Sequence, residues 1–297
     1  MSAGTAFVAA GTAGNRRAAL ARMLRRLPWF GIVLVLPIFV WGLFGPALYL
    51  HDPAAMNLLA PHKPPAWLAG GDWAFPLGTD QFGRDVLSQL VAGARPALLV
   101  SFCGVGLAAV IGIPAGLLAG YRGGWTDHLV MRLVDIKMSI PSILLTLLIG
   151  GAIGGGLVTV LASIVLVFWA DYARVIRSQA LSLREADYVS LARVANCSDL
   201  RILATHIFPN VLPTAIILMT LQLGRALIVE ASITFIGLGI QAPASAWGLM
   251  IAEGRGFVAT DWWIPTFPGL CITITVLGAN ILGDWLRDRL DPRLQQL

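Results

Sequence analysis

The sequence has 297 residues, of which 57% are hydrophobic and 12% are charged, and its formal net charge is +5. Soluble domains carry about 25% charged residues, so this chain has too little charge to coat a soluble globule of its length. The composition excludes an ordinary soluble domain and indicates a polytopic membrane protein. Nucleic acid is not an expected partner, because no basic patch is interleaved with stacking aromatic residues.

The first 28 residues predict a cytoplasmic tail with five arginines, and residues 29–50 predict the first transmembrane helix. A secretory signal peptide is the alternative, but its apolar core is about 7–15 residues long and is followed by a small-residue cleavage site. The apolar run here is longer and has no such site after it. We therefore expect the run to stay in the membrane.

Five further apolar runs follow, and each approaches the roughly 20 residues that cross a bilayer. They lie at 97–119, 130–152, 157–177, 211–237 and 264–284. The total is about six transmembrane helices. Most lysines and arginines fall on one side of this arrangement, and the positive-inside rule assigns that side to the cytoplasm. Both termini, including the tail at 287–297, are then cytoplasmic.

Residues 51–96 form the longest predicted external loop. Its first half is rich in proline and predicts irregular structure. In its second half, residues 80–95 place apolar side chains on one helical face. Two interpretations remain open, a helix lying on the membrane surface and a helix packed against the other spans. The glycine-rich stretch 150–156 predicts a tight outer turn, and residues 241–248 predict a second outer loop.

A polar island at 188–210 interrupts the apolar runs on the cytoplasmic side. It predicts two short helices, the first ending at Asn196 and the second capped by the Ser198 hydroxyl. Pro209 lies where the second helix gives way to the next span. An apolar stripe on the first helix has the spacing i, i+3, i+4, i+7 and consists of Tyr188, Leu191, Ala192 and Ala195. Either this stripe docks a partner, or the loop packs on its own helix ends.

The island resembles the cytoplasmic motif of binding-protein-dependent ABC importer permeases. The matching positions are Ala192, the spacing to Asn196 and on to Pro209, and Pro209 itself. The family has Gly where this chain has Asn196, and Asn also tolerates the left-handed conformation that ends helices. Segments 77–95, 119–142, 230–251 and 280–294 resemble the C-type permease of dipeptide and oligopeptide importers, in order along the chain.

The resemblance implies an all-α, type I ABC importer permease fold, with its core at 97–286 and coupling helices near 186–207. It implies a heterodimer with a homologous second permease, two ATPase subunits that bind ATP and Mg, and an extracytoplasmic substrate-binding protein. The implied location is a bacterial inner membrane, in contact with lipid. No cofactor is expected in this chain, which lacks a GxxxxGK[ST] phosphate loop, and scattered cysteines and histidines predict no metal site.

The implied substrates are dipeptides or short oligopeptides, and a nickel chelate, glutathione or a D-amino-acid dipeptide are alternatives. Arg225 and Glu230 lie in or beside the fifth span, where charged residues tend to be functional. Three interpretations remain open: these residues line the pathway, they contact the second permease, or they are buried against partner groups or snorkel to an interface. Arg132 with Asp135, and Asp171 with Arg174, have the spacing of local ion pairs. An ion-coupled secondary transporter and an intramembrane enzyme are the rival classes.

Overall fold

The computed structural model describes residues 28–290, and the predicted tails at 1–28 and 287–297 lie mostly outside this range. Within residues 28–290, helices are joined by irregular segments, and the β-structure is limited to one isolated bridge between Thr79 and Asp85. Its helices are α1 Trp29–Leu48, α2 Val86–Arg122, α3 Gly124–Ser139, α4 Ser142–Ile153, α5 Leu157–Arg184, α6 Asp187–Val194, α7 Asp199–Ile202, α8 Phe208–Phe235, α9 Trp247–Gly254 and α10 Trp263–Leu290.

Among the described residues, five helical segments are long and apolar enough to span a membrane. Four of them are α1, α2, α5 and α10, and the fifth runs continuously from Asp199 to Phe235 through α7 and α8. The helix pair α3 and α4 adds a sixth if it is counted as one bent span. The expectation of an all-α protein with about six transmembrane helices is confirmed.

The predicted third span at 130–152 is not one helix. The axes of α3 and α4 differ by 92°, and Ile140 between them has an extended backbone. Pro141 explains the break, because a proline ring disfavours helical geometry in the preceding residue. An apolar run shows which residues are suited to the bilayer, but this proline divides the run into two helices.

The predicted surface helix is the first part of the long helix α2. The helix begins at Val86, and the Asp85 carboxylate caps it by accepting hydrogen bonds from the backbone N–H groups of Leu87 and Ser88. Val86 and Leu90 are buried in a cluster with residues of α9 and α10. The prediction of a separate helix on the membrane surface is therefore wrong, and the alternative of packing on other helices is correct.

The core of the bundle is a close contact between α2 and α5. Glycines of α2 lie where a side chain would overlap α5: a Cβ on Gly112 would meet the carbonyl oxygen of Trp169, and one on Gly116 would meet that of Ala173. Small residues allow transmembrane helices to approach this closely. Buried side chains of α8, including Ala226 and Ile233, complete the same core.

Segment 51–85, which is predicted to be external, is irregular but is held to the helices by several contacts. The indole of Trp263 at the start of α10 donates a hydrogen bond to the Thr79 carbonyl at 3.1 Å. Arg84, which is buried, pairs with Asp80 at 2.6 Å and also with Glu253 of α9. These contacts fix the segment as a cap over one end of the bundle, opposite the end that carries α6 and α7.

Candidate functional site

Helices α6 and α7 project from one end of the bundle. Helix α5 has 28 residues, so it is about 42 Å long at a rise of 1.5 Å per residue. A bilayer has a hydrocarbon core of about 30 Å, so α5 is longer than this core by about 12 Å. Because the last turn of α5 carries Arg184, we expect this end to extend past the apolar layer and to hold the two short helices within reach of a soluble partner.

The turn between α6 and α7 is a Schellman motif centred on Asn196. Its backbone has a φ of 57°, which confirms the predicted left-handed conformation. The N–H of Cys197 bonds to the Ala192 carbonyl at 3.0 Å, and the N–H of Asn196 bonds to the Arg193 carbonyl at 2.9 Å. These two bonds satisfy carbonyl groups that a helix end otherwise leaves unpaired and fix the direction of α7.

The apolar stripe predicted on α6 is divided between the inside and the outside. Ala192 is only 8% exposed and packs in a cluster with Val189 and with side chains of α5, α7 and α8. Leu191 is 68% exposed and Val194 is 85% exposed, while Tyr188 and Ala195 are also exposed. The prediction that Ala192 belongs to an uncovered face is therefore wrong, because the periodicity did not show which edge of the stripe faces the protein.

Leu200 at the start of α7 is 77% exposed and was not singled out from the sequence. We call the exposed apolar side chains of the two helices the docking face, which consists of Tyr188, Leu191, Val194, Ala195 and Leu200. The base of the helix pair, which is the side that faces the bundle, packs in a buried core of mainly aliphatic side chains. The structure therefore shows that one side of the helix pair packs on its own chain and that the other side is uncovered. Docking of a partner on the uncovered side stays a prediction.

The structure differs from one detail predicted for the second helix. Ser198 occupies the N-cap position of α7, but its hydroxyl makes no capping hydrogen bond. Pro209 lies within the first turn of α8, which is where the prediction placed it, at the start of the next span. The chain accommodates it through a π-helical segment at Leu203–Ile207, in which the N–H of Phe208 bonds to the Leu203 carbonyl. A proline inside a helix lacks an N–H donor, and its ring clashes with the carbonyl four residues earlier. For Pro209 that carbonyl belongs to Thr205, which lies within the π-helical segment.

A hydrogen bond ties the helix pair to α2. The Tyr121 hydroxyl donates to the Asp199 carboxylate at 2.9 Å, and the Arg193 guanidinium lies 5.5 Å from the centre of the Tyr121 ring. Tyr121 is itself buried. Tyr121 and Asp199 are 78 positions apart in the chain, so no local sequence pattern indicates their contact.

A set of charged and polar side chains joins helices α5, α8 and α3. Asp171 of α5 accepts hydrogen bonds from Gln222 at 2.9 Å and from Arg225 at 3.2 Å, both on α8. Arg174 of α5 pairs with Asp135 of α3 at 2.9 Å. The expected local pairs within one helix are therefore wrong, because each carboxylate takes its cation from a neighbouring helix.

Glu230 does not share this environment. It is 1% exposed, and its Oε1 accepts a hydrogen bond from the Thr234 hydroxyl at 3.0 Å. Its Oε2 has no hydrogen-bond partner among the described residues. Of the interpretations open for this residue, burial within the chain is the one the structure shows. Arg225 is different, because its side chain is 61% exposed.

The cap formed by residues 51–85 also carries exposed apolar side chains. Trp73 and Leu59 are exposed there, and residues 241–244 of the neighbouring loop are exposed as well. The Asp72 carboxylate accepts hydrogen bonds from the Ala74 N–H and from Lys63, and these contacts hold the pKa of Asp72 below its ordinary value. Within residues 28–290, no three metal-ligating side chains come together.

The sequence and the structure were compared with known proteins. Residues 112–296 match the family model of the binding-protein-dependent transport system inner membrane component. The di/tripeptide transport system permease protein DppC of Pseudomonas aeruginosa is 38% identical over 265 residues, which is 89% of this chain and 88% of that protein. The oligopeptide transport system permease protein OppC of Bacillus subtilis is 33% identical over 91% of this chain and 87% of its own length.

A D,D-dipeptide relative and a solved structure complete the comparison. The probable D,D-dipeptide transport system permease protein DdpC of Escherichia coli is 38% identical over 88% of this chain and 86% of that protein. An inward-facing structure of the MetNI methionine ABC transporter has a TM-score of 0.58 and 20% identity, covering 69% of this chain and 97% of the matched chain. Because its identity is only 20%, this structural match supports the fold alone.

Proposed function

This chain belongs to the family of binding-protein-dependent transport system inner membrane components and is a permease subunit of an ABC importer, and we propose that its cargo is dipeptides or short oligopeptides. The names of its relatives support that substrate class. A D-amino-acid dipeptide is the alternative with direct support, from the Escherichia coli relative.

We propose that the importer is driven by ATP bound, with Mg, to two separate ATPase subunits, and that this chain itself holds no cofactor. Its other partners are a homologous second permease and an extracytoplasmic substrate-binding protein. The location is the inner membrane of a bacterium, with both termini in the cytoplasm. The distribution of lysine and arginine supports this orientation, which places the docking face inside the cell and the external cap outside.

The main observation that supports ATPase subunits as partners is the docking face. Exposed Leu191, Val194 and Leu200 stand on a short rigid helix pair beyond the end of α5. Isolated apolar residues are normal on protein surfaces, but large apolar side chains grouped on one projecting element are typical of an interaction site. An ATPase subunit with a groove of matching size accounts for this group, because docking would bury it.

The base of the helix pair is suited to transmit force. Val189 and Ala192 pack against Ile176 and Ala180 of α5 in one buried cluster, and Tyr121 holds α7 to the end of α2. A displacement of the docked helices therefore moves the ends of several spans together. Closure of the ATPase subunits on ATP is the event that would supply such a displacement.

The test introduces the same charge on two faces of α6. Leu191→Asp places a carboxylate in the docking face, whereas Ser190→Asp places one at an exposed polar position of the same helix. The complex of both permeases and both ATPases is purified in detergent, and ATP hydrolysis stimulated by the loaded binding protein is recorded. We expect Leu191→Asp to lose the ATPases or their stimulation, and Ser190→Asp to resemble wild type.

Equal behaviour of the two variants would contradict the docking assignment. A wild-type chain that purifies without ATPases and still transports would contradict the importer proposal and favour an ion-coupled transporter. Ala192→Asp is not suitable here, because a buried carboxylate destabilises the base of the helix pair whether or not a partner docks.

A further inference from the structure

An apolar groove runs along the face of α8 that also bears Arg225. Val229, Ser232 and Ile236 line a cavity of about 190 Å³ between α8 and α4. They follow Arg225 at intervals of four, seven and eleven residues, which is the spacing of one helical face. The wall on the α4 side includes Ser142 and Thr146. The groove is therefore mainly apolar with a few hydroxyl groups, and the Arg225 guanidinium lies on the same helical face at one end of it.

The end of this line at Arg225 carries excess positive charge. Arg225, Arg174 and Lys137 are the cations, and Lys137 interacts electrostatically with both arginines and with Asp171. The carboxylates are Asp171 and Asp135, which pair with the two arginines. Three cations against two carboxylates leave a net charge of +1. We call these five side chains the charged patch.

The guanidinium of Arg225 has donors to spare. Both of its side-chain hydrogen bonds, to Asp171 and to Gln222, are donated by Nη1. Within residues 28–290, its Nε and Nη2 atoms donate no hydrogen bond. The group also lies over the Phe168 ring, 5.3 Å from its centre, which holds it in place. An arginine that presents two parallel N–H groups is the usual partner of a carboxylate.

The charged patch lies at membrane depth. By the helical rise, Arg225 is about 15 Å from the end of α8 at Phe235, and Asp171 is about 21 Å from the start of α5 at Leu157. A charge exposed to hydrocarbon is costly, so charged residues in spans face protein or water-filled cavities. The exposure of Arg225 therefore indicates that this face borders an aqueous space in the assembled transporter.

We propose that the charged patch and the adjoining groove form a passage site for peptide, in which Arg225 takes the C-terminal carboxylate and the groove takes the side chains. This inference rests on the proposed peptide import. This chain contributes the charged patch and the groove, and another subunit must close the site. The group that Arg225 binds is the C-terminal carboxylate, which every unmodified linear peptide carries. The apolar wall of the groove has few polar groups with which to discriminate between peptide side chains.

The dimensions of the site agree with short peptides. From Arg225 to Ile236 the helix rises by about 16 Å, and an extended chain spans about 3.3 Å per residue. The line of side chains therefore has room for up to about five residues in extended form. A dipeptide or tripeptide bound through its carboxylate lies wholly within it.

The first test measures uptake of labelled dialanine by the reconstituted importer with its binding protein at saturation. Arg225→Gln removes the charge, Arg225→Lys keeps it without the bidentate geometry, and Arg122→Gln removes an exposed arginine at the distant end of α2. We expect Arg225→Gln to lower the maximal rate by about tenfold or more. Arg225→Lys should recover part of this loss, and Arg122→Gln should match wild type.

The concentration dependence distinguishes a passage site from a structural one. The half-saturating dialanine concentration is set by the binding protein, so a passage defect should lower the maximal rate and leave that concentration unchanged. Loss of copurifying subunits in Arg225→Gln, or equal rates for Arg225→Gln and wild type, would overturn the assignment.

The second test asks whether water and peptide reach the site. The three native cysteines are replaced by alanine, and Arg225→Cys is then treated with a membrane-impermeant thiol reagent. We expect labelling that slows when dialanine is supplied during turnover, compared with turnover without peptide. No labelling, or labelling that peptide does not slow, would overturn the site. Absence of any dialanine uptake by wild type would instead contradict the proposed function.

Discussion

The conformation of Asn196 makes a sharp prediction about the turn that supports the docking face. Its φ of 57° lies in the left-handed region, which Gly adopts freely and Asn tolerates. Asn196→Ala keeps the backbone N–H and C=O groups but removes that tolerance. Asn196→Gly keeps the conformation accessible. The two variants therefore separate the backbone requirement from any contact made by the side chain.

The expected cost follows from the backbone alone. A residue with an ordinary Cβ pays about 1–2 kcal/mol in the left-handed conformation, so Asn196→Ala should weaken the Schellman motif by about 1 kcal/mol. Asn196→Gly should lie within about 0.5 kcal/mol of wild type, because its freedom in the open state offsets part of its advantage. Since about 1.4 kcal/mol corresponds to tenfold in an equilibrium, the Ala variant should open about fivefold more often.

Amide hydrogen exchange read by mass spectrometry measures this opening. A peptide covering α6 and α7 contains the N–H of Cys197, which the motif protects through its bond to Ala192. We expect exchange there to accelerate about fivefold in Asn196→Ala and little in Asn196→Gly, with α2 unchanged in both. Equal exchange in the two variants would refute the reasoning, because it would show that the left-handed backbone is not what holds the turn.

Two further predictions concern the bundle and its cap. Arg84→Ala leaves the buried Asp80 carboxylate of the cap and the Glu253 carboxylate of α9 without their paired cation and should destabilise the cap by about 3 kcal/mol. Tryptophan fluorescence during thermal unfolding measures this, and a cap that unfolds as in wild type would contradict it. Gly112→Ala drives a Cβ into the carbonyl of Trp169, whereas a Cβ on Gly106 meets nothing within 4 Å. Gly112→Ala should therefore cost about 1–3 kcal/mol and Gly106→Ala should not, and equal melting temperatures would exclude close packing at Gly112.

Sequence reasoning succeeded where one physical property decided the outcome. Apolar runs of sufficient length gave the number of spans, since the thickness of the bilayer sets their length. The left-handed Asn196 was predicted from the resemblance to the permease motif, which has Gly at this position, together with the tolerance of Asn for that conformation. The break at Pro141 had a local signal as well, the restriction that a proline places on the residue before it, but the continuous apolar run concealed it.

The site residues were harder to assign because their partners are distant in the chain. Periodicity placed Leu191 and Ala192 on the same stripe, but only the packing of α5 and α8 shows that Ala192 is the buried one. The spacing of Asp171 and Arg174 suggested a pair within α5. In the fold, Arg225 of α8 pairs with Asp171 instead. No signal in the sequence indicates that a partner on another helix is preferred over one on the next turn of the same helix.

The docking face and the charged patch are connected by the same two helices. Asp171 and Arg225 lie on α5 and α8, and α6 and α7 are the connection between those helices. From Asp171 to the end of α5 at Arg184 the helix rises by about 20 Å without interruption. A partner that pulls the docked helices therefore acts on both sides of the 3.2 Å pair between Asp171 and Arg225. We expect relative movement of α5 and α8 to change that pair first, because an ion pair between two helices depends on their separation in a way that bonds within one helix do not.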